Sequence, residues 1–397
     1  MTGCATDLVG DSANLEKVEY PTGITIHPNG RYAYVVGSNF DLDYRATDGG
    51  AVYVVDLQTN EILPTSKRIG SFGTNIVLSS DARHGFTVTR DDDALVWFEI
   101  SEDGSDIYCP KAKSSSETLL DCRVIVDDNP THVAITRSYR ETTQIDTQGN
   151  EVKTRVDFDL LMIAQLRDGS VTAVTVIEDE DGDLEFSKET AALVYTASEV
   201  QWIGGERFVI TGRAASNLMV VTPAIDKNGK VLGLYAKESI TIPNAYAAYQ
   251  GRGMTLNPSR QDLYLINQYP NSLLKIDITG VTHNDMATDH AQVSDMMMLP
   301  DDMSKVAWVG DESNGMLYVT AVNKNAIYII NPRLMEIEQV FPVGKGPYEL
   351  YVENSTVYVL NFLDNSIWSL DTTDPANPVI KNKYLNTTTS EEENDEK

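Results

Sequence analysis

The 397-residue chain is short of positive charge, of cysteine and of long apolar runs. Its 31 Lys+Arg stand against 59 Asp+Glu, a formal net charge of −28. With no basic stripe to offset that surplus, binding to a phosphate backbone is excluded as an expectation, and no nucleic-acid partner is expected. No run of eighteen apolar residues occurs, so no segment is long enough to cross a membrane as a helix. No stretch of comparable length to the strand patterns reads as an amphipathic helix. Several catalytic signatures are also missing: Gly-x-Ser-x-Gly, His-Glu-x-x-His, a phosphate loop and Cys-x-x-Cys-His.

What is present is a hairpin that recurs with matching residues at matching offsets. Tyr318-Val319-Thr320 is followed by Asn325, Ile327, Ile330 and Asn331; forty residues on, Tyr358-Val359-Leu360 is followed by Asn365, Ile367, Leu370 and Asp371. The frame also fits Tyr264, Asn271, Leu273, Ile276 and Asp277, and Phe86, Asp93, Leu95, Phe98 and Glu99. A fixed period long enough for four short strands predicts an all-β, seven-bladed β-propeller with four-stranded antiparallel blades. Seven inner hairpins are expected: Gly23–Val36, Gly73–Arg90, Cys122–Arg137, Glu199–Gly212, Arg252–Gln268, Lys305–Val322 and Pro347–Asn361. Each joins β-branched or aromatic runs through Gly, Pro, Asn or Asp. In the third blade Phe158–Leu166 is the expected third strand. Residues 15–385 would form the propeller, with 1–14 a tether and 386–397 a disordered acidic tail. Leu15–Tyr20 and Pro378–Leu385 are the candidates for closing the ring.

Leu317-Tyr318-Val319-Thr320, Ile327-Tyr328-Ile329-Ile330-Asn331 and Tyr32-Ala33-Tyr34-Val35-Val36 resemble the repeats of the YVTN family of bacterial propellers, which are similar to lactonase-type propellers. The resemblance spans roughly residues 20–385 and implies fold more than activity, because these residues build blades. Met1-Thr2-Gly3-Cys4 resembles the end of a bacterial lipoprotein signal, which implies a lipidated Cys4 and an extracytoplasmic protein, in the periplasm or at the cell surface, held to a membrane, the outer one in the first place, by its lipid alone. Cys109 and Cys122 form a disulfide if the protein is exported and remain two thiols if it is cytosolic; their spacing matches no zinc site.

Five long stretches, Asn39–Gly50, Pro110–Asp121, Ser138–Asp157, Glu178–Thr196 and Thr241–Gln250, are expected on one face. That face is therefore the expected binding surface for a protein or small-molecule ligand. Arg90, Asp91, Arg213, Gln268, Tyr269 and Asn323, at the ends of second strands, would ring the channel mouth beside Tyr246 and Tyr249. They form a mixed polar set with no evident proton shuttle, so the leading expectation is a non-catalytic binding module, with a lactonase-like hydrolase at the same mouth as its rival. A redox accessory is the third reading, and no cofactor ligand is visible for it. Asp179, Asp181 and Asp183 are a candidate calcium loop that lacks the EF-hand order of acids and glycine; a solvated acidic turn is the plainer account. No other cofactor is evident.

Overall fold

The computed structural model describes residues 13–38, 49–113, 116–145, 147, 150–167, 169–214, 217–242, 249–282, 291–301 and 303–385. They form seven four-stranded antiparallel blades around a common axis, about 63% strand and 2% helix. Cys4, Tyr246, the acidic tail and the His283–His290 stretch lie outside the described residues.

The blades follow one another along the chain, and no sheet borrows a strand from another blade. Blade 1 comprises Pro21–Ile26, Tyr32–Gly37 and Gly50–Asp56, with its outer edge split into Glu61–Ile62 and Lys67–Gly70. Blade 2 comprises Gly73–Leu78, His84–Thr89 and Ala94–Ile100, with an outer edge split into Ile107–Tyr108 and Arg123–Ile125. Blade 3 is Pro130–Ile145, Glu151–Gln165, Ser170–Glu178 and Leu184–Ala192; blade 4 is Ala197–Gly204, Arg207–Gly212, Asn217–Ile225 and Val231–Thr241. Blade 5 runs Tyr249–Leu256, Asp262–Tyr269, Asn271–Asp277 and Gln292–Met298, so Met296-Met297-Met298 does belong to an outer strand. Blade 6 runs Met303–Val309, Met316–Ala321, Ala326–Asn331 and Glu336–Pro342, and blade 7 Pro347–Glu353, Thr356–Asn361, Ser366–Asp371 and Val379–Tyr384.

The repeated residues earn their positions physically. Tyr264, Tyr318 and Tyr358 sit at nearly full burial between sheets, as Phe86 does in blade 2. Asp93, Asn325 and Asn365 take left-handed backbone angles in the turn from second to third strand, which short polar side chains tolerate best after glycine. Each then reaches the next blade: Asp93 Oδ1 accepts from Asn129 N–H at 2.8 Å, Asn325 Oδ1 from Gly346 N–H at 3.0 Å, and Asn365 Oδ1 from Tyr20 N–H at 2.9 Å. The last of these clasps joins blade 7 to blade 1. Closure is therefore the same contact used elsewhere in the ring, reinforced by Ala13, Val18, Tyr358 and Tyr384 in one apolar cluster. Neither terminal segment adds a strand to the blade at the other end: Val379–Tyr384 completes its own sheet, and 15–19 forms no strand.

The frame of the third blade differs from the sequence expectation. Cys122–Arg137 is not a hairpin: Arg123–Ile125 is the outer edge of blade 2, Asp127-Asp128-Asn129 is the crossover, and Pro130–Ile145 is the innermost strand of blade 3. Phe158–Leu166 thus lies at the end of the second strand, and Ser170–Glu178 is the third. The reason is that 138–157, polar enough to read as a loop, is a regular antiparallel ladder from Ser138↔Phe158 to Ile145↔Glu151.

That shift overturns the single decorated face. Every innermost strand starts at one end of the channel, so the hairpin at 138–157 leaves the opposite end, as does the turn at Asp179–Asp183. There the hairpin packs on blade 4: Arg140 bridges Glu206 at 2.6 Å, and Gly229 lies against Ile177, Phe158 and Val156. Pro110–Asp121 is on neither face. It bulges from the outer edge of blade 2 onto blade 1, where Thr118 bridges Arg68, and the Cys109–Cys122 disulfide closes it with a Cα–Cα distance of 5.7 Å.

Candidate functional site

The start of each innermost strand carries the same small irregularity: a register shift, after Pro21, Gly73, Pro130, Ala197, Arg252, Met303 and Pro347. A bulge re-aims a side chain out of the ladder. Seven of these bulges around one axis bring Asn75, His132, Glu199, Arg252, Lys305 and Glu349 to the wall of one cavity, with Gly23 at the seventh position.

The residue before each of these is usually a hydroxyl, and it is committed to holding the ring. Thr22 Oγ1 donates to the Gly73 carbonyl at 2.8 Å, Thr131 Oγ1 to Ser198 O at 3.1 Å, and Ser198 Oγ to Gly251 O at 3.1 Å. Blade 1 is thus tied to blade 2, blade 3 to blade 4, and blade 4 to blade 5. At Gly251 a Cβ would fall on Thr211 Oγ1, which explains the break in the series.

The cavity has a volume of about 110 Å³, and Phe72, Tyr348, Arg90 and Arg213 complete its rim. At its base lies an ion cluster. Lys305 Nζ stands 2.9 Å from Glu199 Oε1 and 3.5 Å from Glu349 Oε2, and Glu199 Oε2 also accepts from Gly253 N–H at 2.7 Å. His132 Nε2 is 3.4 Å from the same ammonium. An ammonium can only donate, so Nε2 accepts and the ring proton sits on Nδ1, a buried atom with no partner among the described residues.

Burial, and then the charge of Lys305, push His132 down to about 3, so the ring is neutral at ordinary pH. Burial would lift Glu199 too, but Lys305, His132 and the Gly253 amide hold it below the usual carboxylate range. Glu349 has a more distant hold on the ammonium and Glu199 beside it, and burial takes it up to about 7. Lys305 is raised by its two carboxylates against its own desolvation. One ammonium therefore serves two carboxylates, and the carboxylate with the weaker share keeps a proton within reach of neutrality.

Of the sequence-chosen residues, Arg90 and Arg213 line this cavity. Arg90 donates to Asn129 Oδ1 from Nε and Nη2 and lies over the Phe72 ring at 4.3 Å. Asp91, Tyr269 and Asn323 are exposed and Gln268 is buried, and none of the four lines the cavity. Tyr249 opens the first strand of blade 5, with its side chain outside the described residues. Asp179, Asp181 and Asp183 sit at the far end of blade 3, where Asp179 Oδ1 accepts from the Asp181 and Asp183 amides. Among the described residues no three His, Cys, Asp or Glu side chains converge as metal ligands.

Sequence reasoning missed the column of His132, Glu199, Arg252, Lys305 and Glu349. The signal was available: laid in the frame of the repeat, one position near the start of six of the seven first strands carries a titratable, cationic or amide side chain.

No family model matches the chain, and no curated protein matches it. Solved structures do. The β-propeller domain of Myceliophteria thermophila Cps50 (Swd1) superposes with a TM-score of 0.58 at 10% identity, covering 89% of this chain and 96% of that one. A protein from Lactobacillus plantarum gives 0.55 at 13%, covering 89% and 96%. A putative 6-phosphogluconolactonase from Bacteroides uniformis gives 0.41 at 11%, covering 92% and 84%. Identities this low establish the propeller fold, and the lactonase's score is too low to carry anything further.

Proposed function

We propose that this protein is an exported propeller that captures a small ligand at the mouth of its central channel without transforming it. The observation that carries this reading is how the titratable groups are used. Glu199, Glu349 and His132 all face Lys305, so the groups that could relay protons are engaged with one another at the base of the cavity. Arginine and aromatic side chains are left at the rim, where they give area and forked donors with little loss of freedom. The buried Cys109–Cys122 disulfide supports an oxidising compartment. The YVTN-like repeats fit that placement, since the resemblance is to bacterial propellers.

Native mass spectrometry of protein purified from its host tests the reading. A bound compound recovered unchanged after prolonged incubation is expected, and an empty channel with every small molecule tried would sink it.

A second reading, a lactonase-like hydrolase, is favoured by one observation: Glu349 is poised at about 7 beside the cavity, in the range a general acid or base needs. If the bound compound is converted, and Glu349→Gln stops the conversion, the hydrolase replaces the binding module.

A further inference from the structure

Arg90, Arg213, Arg252 and Lys305 place four cationic groups on a wall that carries two carboxylates, Glu199 and Glu349. That gathering of cationic groups stands out in a chain whose net charge is −28. Both carboxylates are drawn to Lys305. Arg252 is the sharpest case. Its side chain has no hydrogen-bond or ion-pair partner among the described residues, and its Nε is buried. A half-buried guanidinium with no counter-ion offers a fork that matches the oxygen pair of a carboxylate or phosphate.

Two further observations narrow the ligand. The Thr22, Thr131 and Ser198 hydroxyls already donate to backbone carbonyls of the next blade, so they are poorly placed to recognise a neutral polyol. The cavity, about 110 Å³, is smaller than the engineered cavity of about 150 Å³ that admits benzene, which suits a compact ion and not a nucleotide.

We infer that the channel mouth takes a compact oxyanion, of the phosphate or short carboxylate class, seated against Arg252 with blades 4 and 6 presenting Arg213 and Lys305 on either side. This rests on the mouth being a ligand site at all. Because the anion would meet an unpaired guanidinium and not an already satisfied pair, its binding is expected to be strongly weakened by salt.

Calorimetric titration at pH 6.5 and low ionic strength with inorganic phosphate, malonate and the neutral analogue malonamide decides the matter. Binding of phosphate or malonate at one per chain, weakened by sodium chloride, with no heat from malonamide, is the expected result. The tighter of the two anions identifies the phosphate or the carboxylate class. Arg252→Gln should lower that affinity about 10- to 100-fold, the loss of one charge-assisted contact. Malonamide binding as tightly as malonate, or neither anion binding, overturns the inference; in that event a neutral compound found at the mouth by native mass spectrometry would leave the binding reading intact. Should Arg252→Gln not fold, the comparison of malonate with malonamide on the unaltered protein still decides.

Discussion

The two ends of the propeller use charge in opposite ways. At the channel mouth Lys305, Glu199 and Glu349 keep only 10–15% of their side-chain surface, and one ammonium is shared by two carboxylates. At the far end Arg155–Asp157 and Lys230–Glu185 are largely exposed one-to-one pairs. Arg140–Glu206 stands between these extremes, with side-chain exposures of 25% and 19%. Exposed pairs gain little, because water already solvates both partners. Buried charges persist only while their partners do. The far end can therefore lose a charge quietly, whereas the mouth cannot.

Breaking that contrast should have its largest effect at Lys305. Lys305→Met leaves two buried carboxylates facing each other, and urea denaturation should show a loss of about 3–5 kcal/mol. Adding Glu199→Gln and Glu349→Gln to the same chain should recover a substantial part. If Lys305→Met alone costs no more than a surface substitution, the cluster is far wetter than its geometry implies.

The next effect is one of pH. Glu349 binds its proton more tightly folded than unfolded, so its contribution to stability is whole below about 4.5 and is lost as pH rises toward about 7. His132 acts in the opposite sense: depressed from 6.5 to about 3, it lowers stability as pH falls through that interval. The two slopes oppose each other between about 4.5 and 6.5. Glu349→Gln removes one of them, so its stability relative to the parent should climb across pH 4.5–7 in parallel denaturation curves. Above pH 7 the parent's Glu349 ionises next to Lys305, Glu199 and Tyr348, negative charge is added to the cavity wall, and malonate or phosphate affinity should fall. The Gln variant should lose this dependence.

Smaller still, Arg140→Ala removes a two-point contact to Glu206 at 2.6 and 2.9 Å and should cost about 1 kcal/mol, with channel binding unchanged. Smallest of all, Arg155→Ala should alter neither the thermal midpoint nor ligand affinity. A binding defect in Arg155→Ala would mean that the far end, and not the mouth, holds the site.

Blades 5 to 7 were legible because their repeats return the same residues to the same jobs: buried Tyr264, Tyr318 and Tyr358, and the clasp residues Asn325 and Asn365. Blade 3 was not, because Asp127-Asp128-Asn129 has hairpin-turn composition but serves as a crossover, and because 138–157 forms strands in which exposed Tyr139, Ile145 and Val152 are scattered among polar residues. A strand that leaves the core loses the alternation that announces it. The site was legible only in part. Arg90 and Arg213 could be placed by the frame, but His132, Glu199, Arg252, Lys305 and Glu349 share a position and no residue type, so nothing in their local motifs marks them. The disulfide was readable only on the condition of export, since a cytosolic protein would keep two thiols, and the structure forms it.

Each blade is drawn from one unbroken stretch of chain, and six of the seven contribute one bulged side chain to the mouth. Inheritance can therefore rewrite the ligand preference like a seven-letter word. A single codon change at position 75, 132, 199, 252, 305 or 349 alters one letter, while the clasps at Asp93, Asn325 and Asn365 and the sheets behind them continue to spell the same ring. Gly23 is the blank in that word and is held blank, because a Cβ there would fall on the Thr74 carbonyl oxygen of the next blade.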